Sequence, residues 1–228
     1  MQKFQQEYNM IISHKKILII DYKSGNLFSV NQALTNIGLN VLISSNADDI
    51  ASADAIVLPG VGAFGDAMNN LHNFNLVQPI KQFVESGKPF LGICLGLQLL
   101  FTESEEFGYT KGLNLVKGKV KRFNMNNNAG ENRKIPQIAW NKINRINDNT
   151  WDNTPLQGIK DGEFMYFVHS FYVEPEEPVA LSETNYDGQT YVSSIQKKNI
   201  FACQFHPEKS AQEGLQIYKT WASINNLI

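Results

Sequence analysis

Three short segments of the 228-residue chain carry groups able to do covalent chemistry, and each follows an apolar, strand-like run. In Lys88-Pro-Phe-Leu-Gly-Ile-Cys94-Leu-Gly96 a strand enters a Gly-x-Cys-x-Gly turn and a helical pattern leaves it. That is the nucleophile-elbow arrangement with a thiol in place of a hydroxyl: the glycines permit a tight turn, and the helix start favours a thiolate. Alone, Cys94 would also serve as a small apolar residue at a strand end. In Ile200-Phe-Ala-Cys-Gln-Phe-His206-Pro-Glu208 a strand ends at an imidazole, and the intervening proline lets Glu208 lie beside His206 and fix its tautomer. A base with an orienting carboxylate is what a thiol nucleophile requires, although an exposed turn with an incidental His and Glu has the same spelling. The third segment, Pro59-Gly60-Val61-Gly62, is a glycine loop whose backbone N–H groups could turn toward an anion. Together the three supply nucleophile, base, orienter and oxyanion donors, the parts list of acyl transfer. The second cysteine, Cys203, lies inside an apolar strand with no helix after it and reads as inert core.

The elements that must hold these groups alternate. Strand runs are expected at Lys16–Tyr22, Asn40–Ser44, Asp54–Leu58 and Pro89–Ile93. Between them come a helix with Leu27, Val30, Leu34 and Ile37 on one face, helical patterns from Gly65 to Gly87, and a helix over Leu95–Thr102. Such alternation predicts an α/β fold with a parallel sheet covered on both faces. After residue 117 the spacing changes to strands, at Lys117–Phe123, Phe164–Val173, Tyr191–Ile195 and Ile200–Phe205, which predicts antiparallel additions to the sheet. A closing amphipathic helix is expected over Ser210–Ile224. The polar stretch Asn124–Gly130 reads as a mobile hairpin tip. Residues 1–15 are expected to form an N-terminal extension and lead-in, and residues 16–228 one domain.

Composition narrows the classes of function. A balance of 20 Lys+Arg against 22 Asp+Glu, a formal charge of -2 with no basic cluster, offers no footprint for nucleic acid or an anionic membrane. The longest apolar runs are strand-sized, and Met1–Asn9 lacks the apolar centre of a signal peptide, so a cytoplasmic protein is expected. Two cysteines do not make a disulfide framework. His14, His72, His169 and His206 lack paired ligand spacing and no Gly-x-Gly-x-x-Gly loop is present, so neither a metal nor another cofactor is expected.

Gly92-Ile-Cys-Leu-Gly96 with Gln98, and Gln204-Phe-His-Pro-Glu208, resemble the two signature blocks of the class I (triad) glutamine amidotransferases. Within that family, Asp21-Tyr22 with Ser24-Gly-Asn26, Pro59-Gly-Val-Gly-Ala-Phe-Gly-Asp66, Tyr166-Phe-Val-His-Ser-Phe-Tyr172 and His206-Pro-Glu-Lys-Ser210 are similar to the glutaminase subunits of imidazole glycerol phosphate synthase. The likeness runs from about Lys16 to near the C-terminus. It implies a three-layer sandwich with a mostly parallel central sheet. Cys94 would attack the side-chain amide of L-glutamine, His206 would move protons and Glu208 would position His206. The oxyanion would rest on the Leu95 N–H and on an amide of Gly60-Val61-Gly62; Gln98 and the His169-Ser170-Phe171 backbone would hold the substrate. Ammonia would pass to a (β/α)8-barrel cyclase, the partner in a heterodimer, in histidine biosynthesis, with Pro136, Gln137, Trp140 and Lys209 near the partner face. Two departures stand out: Gln137 and Ala139 replace the common His and Gly of this segment, and Met1–Asn9 precedes the usual start, with Met10 an alternative one. The resemblance leaves room for a paralogue that supplies ammonia for amination of a surface-polysaccharide sugar. A non-catalytic regulatory subunit and an independent cysteine hydrolase remain as readings from other classes.

Overall fold

The computed structural model describes residues 13–126, 129–146 and 151–228. The expected N-terminal extension therefore falls mostly outside the described residues, as does part of the Asn124–Gly130 tip. Of the lead-in, Ser13 donates its N–H to the Gly38 carbonyl, tying this segment to the body.

Five parallel strands make the centre, in the order β2 (Asn40–Ser44), β1 (Lys16–Ile20), β3 (Ala55–Gly60), β4 (Phe90–Cys94) and β13 (Ile200–Cys203). Helices α1 (Leu27–Asn36), α2 (Ala47–Ser52), α3 (Phe64–Asn73), α4 (Val77–Glu85) and α5 (Leu95–Leu99) fall between the strands, and α6 (Ala211–Ile224) closes the chain. Because side chains alternate across a strand, β1 sends Ile17 and Ile19 into one apolar layer with Val30 and Leu34 of α1 and Ile217 and Trp221 of α6. Leu18 and Ile20 enter the other layer, with Met68, Leu71, Ile80 and Phe83 of α3 and α4. Strands β1, β3, β4 and β13 are thus buried on both faces, which is why they read as continuous apolar runs rather than alternations, whereas β2, at the edge, is partly exposed.

Antiparallel strands extend the sheet beyond β13 through β12 (Gln189–Lys197), β10 (Phe171–Pro175) and β7 (Gly118–Arg122), with the short β5 (Glu103–Ser104) and β6 (Thr110–Lys111) at the edge. A branch leaves β12 through β11 (Ala180–Tyr186) to β8 (Gln137–Arg145) and β9 (Glu163–His169).

Several boundaries differ from those expected. The run Phe164–Val173 is two strands, because the chain breaks pairing at Ser170 and passes from β8, the partner of β9, to β7 and β12, the partners of β10. Strand β3 continues through Gly60, which pairs with Cys94, so the free loop begins at Val61 rather than Pro59. The helix expected to reach Thr102 ends at Leu99; every residue of it is buried, leaving no polar face to mark its end.

Candidate active site

Cys94 is the last residue of β4 and the residue before α5, with φ 54° and ψ −108°. That strained, left-handed conformation is the nucleophile elbow, and the flanking glycines allow it. A Cβ on Gly92 would lie 2.9 Å from the Ala202 Cβ, and one on Gly96 would overlap the Leu58 carbonyl oxygen. The first N–H groups of a helix lack acceptors within it, and Leu95, next to the thiol, is the first residue of α5.

His206 and Glu208 meet, through a turn rather than through strand alternation. Pro207–Lys209 form one turn of 3-10 helix, bringing Glu208 Oε1 to 2.8 Å from His206 Nδ1. The His206 N–H donates to the Tyr166 carbonyl at 2.9 Å, and Ser210 Oγ links the His206 carbonyl (2.7 Å) to the Tyr166 N–H (3.0 Å), fastening the turn to β9. The Tyr218 hydroxyl, from α6, donates to Glu208 Oε2 at 3.3 Å, so both carboxylate oxygens are engaged. With Nδ1–H given to Glu208, the remaining nitrogen Nε2 is buried without a hydrogen bond of ordinary geometry, and the Cys94 sulfur acts on it electrostatically. Burial by itself would lower the His206 pKa; the Cys94 sulfur and then Glu208 outweigh burial and push it up to about 10. The imidazole is thereby held protonated at neutral pH.

Gln204, quoted in the motif but given no role from sequence, lies between the groups. Its Nε2 is 3.6 Å from Cys94 Sγ, and its Oε1 accepts from Gln98 Nε2 at 3.0 Å. Gln98 is buried on α5 and also donates to the Phe171 carbonyl at 3.0 Å. A cleft of about 270 Å³ opens over the thiol, lined by Val61, Gly62, Cys94, Leu95, Gln98, Glu106, Pro136, Val168, His169, Ser170 and Phe171. Glu106 was not anticipated, since nothing in its local sequence distinguishes it from a surface carboxylate. Its Oε2 accepts the Phe64 N–H at 2.6 Å, and burial raises its pKa. Gly60 sits in the strand, where a Cβ would be 2.9 Å from the Leu95 Cβ and would collide with the Tyr22 hydroxyl. Gly62, at φ +96°, lies outside the strand, with nothing within 4 Å of the place a Cβ would take.

The four residues expected near a partner face divide. Pro136, Trp140 and Lys209 are exposed, and Lys209 Nζ stands 5.6 Å from the centroid of the Tyr166 ring, which packs edge-on against Trp140. Gln137 does not join them: it is fully buried, within hydrogen-bond distance of Tyr191, because alternation along β8 turns it inward while Ile138 and Trp140 face out. Cys203 is fully buried in β13, and burial raises its pKa well above the ordinary thiol value.

Residues 18–221 match the family model for class-I glutamine amidotransferases. The chain belongs to that family. It is 46% identical over 209 residues to the imidazole glycerol phosphate synthase subunit HisH of Syntrophotalea carbinolica, covering 91% of this chain and 100% of the relative. It is 47% identical over 211 residues to the HisH subunit of Aquifex aeolicus, covering 90% and 95%. Among solved structures, PurLQS from Thermotoga maritima aligns with a TM-score of 0.68 at 18% identity over 92% of this chain and 98% of that one. The crystal structure of a glutamine amidotransferase aligns with a TM-score of 0.68 at 15% identity over 92% of this chain and 98% of that one. These two likenesses are of fold. The chain is thus a glutamine amidotransferase with the α/β architecture its sequence led us to expect; of the residues expected at the site, Val61, Gly62, Cys94, Leu95, Gln98, His169, Ser170 and Phe171 line the cleft.

Proposed function

We propose that this glutamine amidotransferase is the glutaminase subunit of imidazole glycerol phosphate synthase, hydrolysing L-glutamine on Cys94 within a domain spanning residues 16–228. The observation that carries the chemistry is the buried His206–Glu208 pair acting on a thiol held in a strained elbow beneath a small cleft.

In this mechanism the Cys94 thiolate attacks the side-chain amide carbon of glutamine. The oxyanion is received by the Leu95 N–H and by an amide of the Gly60-Val61-Gly62 segment, where Gly62 holds φ +96°. Protonated His206 gives its Nε2 proton to the departing nitrogen, and ammonia leaves behind a glutamyl thioester. Neutral His206 then takes a proton from water as that water attacks the thioester; glutamate leaves and the thiolate is restored. Glu208 holds Nδ1–H throughout and keeps Nε2 directed at the reaction. Gln98, with the backbone of His169-Ser170-Phe171, holds the substrate, and Glu106, the carboxylate lining the cleft, matches the charge of its α-ammonium group.

The HisH relatives are named as subunits, and the same role for this chain makes ammonia delivery to a synthase subunit its purpose. We assign that subunit the (β/α)8-barrel cyclase type and its docking site to the outer face of β8–β9, where Trp140, Ile138 and Phe164 lie half-exposed beside Lys209. A cytoplasmic location accords with this; among the described residues no helix is long and apolar enough to cross a membrane. The test is glutamate release by the chain mixed with the histidine-pathway cyclase and its acceptor, against Cys94→Ala. Loss of glutamate in the variant is expected; retention would overturn the assignment. Stimulation only by a sugar-modifying synthase would keep the chemistry and change the acceptor.

A further inference from the structure

The substrate side of the cleft is backed by a buried series of polar side chains to which the mechanism above gives no part. His169 ends β9 with Nδ1 2.8 Å from the Phe171 carbonyl and Nε2 3.1 Å from the Tyr191 hydroxyl. Tyr191, on β12, is in turn 3.0 Å from the side-chain amide of Gln137, on β8. All three side chains are buried. The Phe171 carbonyl they reach is the one that also accepts from Gln98, which continues through Gln204 to the Cys94 sulfur.

Donor counting gives the series a direction. A carbonyl only accepts, so His169 must carry its proton on Nδ1 to bond Phe171. Its pKa, lowered to about 4 chiefly by burial, keeps the ring neutral, so Nε2 bears a lone pair and Tyr191 must donate to it. The single Tyr191 proton is then used, and Gln137 must present its amide N–H to the Tyr191 oxygen. That orientation also gives a partner to Gln137 Nε2, which is otherwise buried without one. Thr184, paired with Tyr191 across β11–β12, has a buried hydroxyl beside the same oxygen. The three links then run in one sense only, from Gln137 to the Phe171 carbonyl, and a buried series with a single direction restrains its members.

We propose that Gln137, Tyr191 and His169 are positioning residues that fix the Phe171 carbonyl, and through it the Gln98 amide, in the geometry that receives glutamine. The proposal rests on the glutaminase reading above. It gives the departure at Gln137 a physical role: either an amide or an imidazole nitrogen at this place can end the series with a donor, whereas an apolar residue cannot. It also links β8, whose other face carries Trp140, to the floor of the glutamine cleft.

The experiment is steady-state glutamine hydrolysis by the complex with the cyclase and its acceptor, with unfolding midpoints measured alongside. Tyr191→Phe keeps the ring and removes the hydroxyl; KM for glutamine is expected to rise about fivefold or more with kcat within about twofold, since Cys94 and His206 are untouched. Gln137→Leu should move KM in the same way and Gln137→His should restore it. An unchanged KM in folded Tyr191→Phe, or failure of Gln137→His to recover what Gln137→Leu loses, overturns the proposal. Should Tyr191→Phe fail to fold, the Gln137 pair decides alone. Absence of glutamine hydrolysis by the wild-type complex would instead refute the glutaminase reading before any variant is compared.

Discussion

Cys94 and Cys203 are both buried thiols, and their surroundings differ in the features that make sulfur reactive. Cys94 borders the cleft, precedes a helix and interacts with a protonated imidazole; Cys203 lies in mid-sheet, where burial opposes its ionisation. A glutamine-analogue electrophile is therefore expected to label Cys94 alone, read by peptide mass spectrometry; an adduct on Cys203 would reverse the two assignments. The same electrostatics make a second prediction. His206 is pushed up to about 10 by the sulfur and Glu208 against its burial, so Cys94→Ala should lower its titration midpoint, followed by NMR of the ring. An unchanged midpoint would remove the sulfur as the cause. The two buried histidines act oppositely on stability. His206, raised above its ordinary 6.5, contributes stability that is complete below 6.5 and lost as pH rises toward about 10. His169, lowered to about 4, contributes stability that is complete above 6.5 and lost as pH falls toward about 4. At this scale the sequence was legible wherever a residue sat in a motif with a mechanism, as Cys94, His206 and Glu208 did. Glu106, Tyr191 and Tyr218 were not, because they come from the turn between β5 and β6, from β12 and from α6, and only the fold brings them to the site.

Elements explain why the reactive groups sit where they do. The elbow requires Gly92 and Gly96 because β4 and α5 pack against β13 and β3 with no room for a methyl group. Gly96→Ala is expected to destabilise the protein by more than about 2 kcal/mol, since a Cβ there meets backbone that cannot rotate away; equal thermal midpoints for the variant and wild type would contradict this packing. Gly62→Ala meets open space, so its cost should be confined to about 1–2 kcal/mol of left-handed strain in the loop. Strands β1, β3, β4 and β13 were readable because burial on both faces makes them unbroken apolar runs. Strands β8 and β11 were not assigned from sequence: β8 is buried at Gln137 and Ile143 but exposed or half-exposed between them, so polar residues dilute the pattern. The break at Ser170 was invisible because both strands it joins have the same alternation, and only the exchange of pairing partners separates them.

At the scale of the molecule, Val168, which lines the cleft, pairs with Ile138 of the exposed β8–β9 face that carries Trp140, an adjacency that suits an enzyme whose product is to be received elsewhere. Unneeded hydrolysis wastes glutamine, and an oxyanion donor turned away in the resting state slows the reaction by about 10²–10³. If Val61–Gly62, which lies outside β3 with open space at Gly62, turns its amide only when a partner docks, the isolated chain is a poor glutaminase that its partner accelerates. Trp140→Ala, which removes the largest exposed ring of that face, is expected to reduce this acceleration while leaving the basal rate of the isolated chain within about twofold. Equal stimulation of variant and wild type would place the docking face elsewhere. The central claim, a Cys94 glutaminase that works for a synthase, is tested most directly by counting glutamate released by the chain alone, with the cyclase and its acceptor, and with both after Cys94→Ala. Slow release, strong stimulation and abolition are expected in that order; rapid release by the chain alone that no synthase changes, or release that survives Cys94→Ala, would overturn this mechanism.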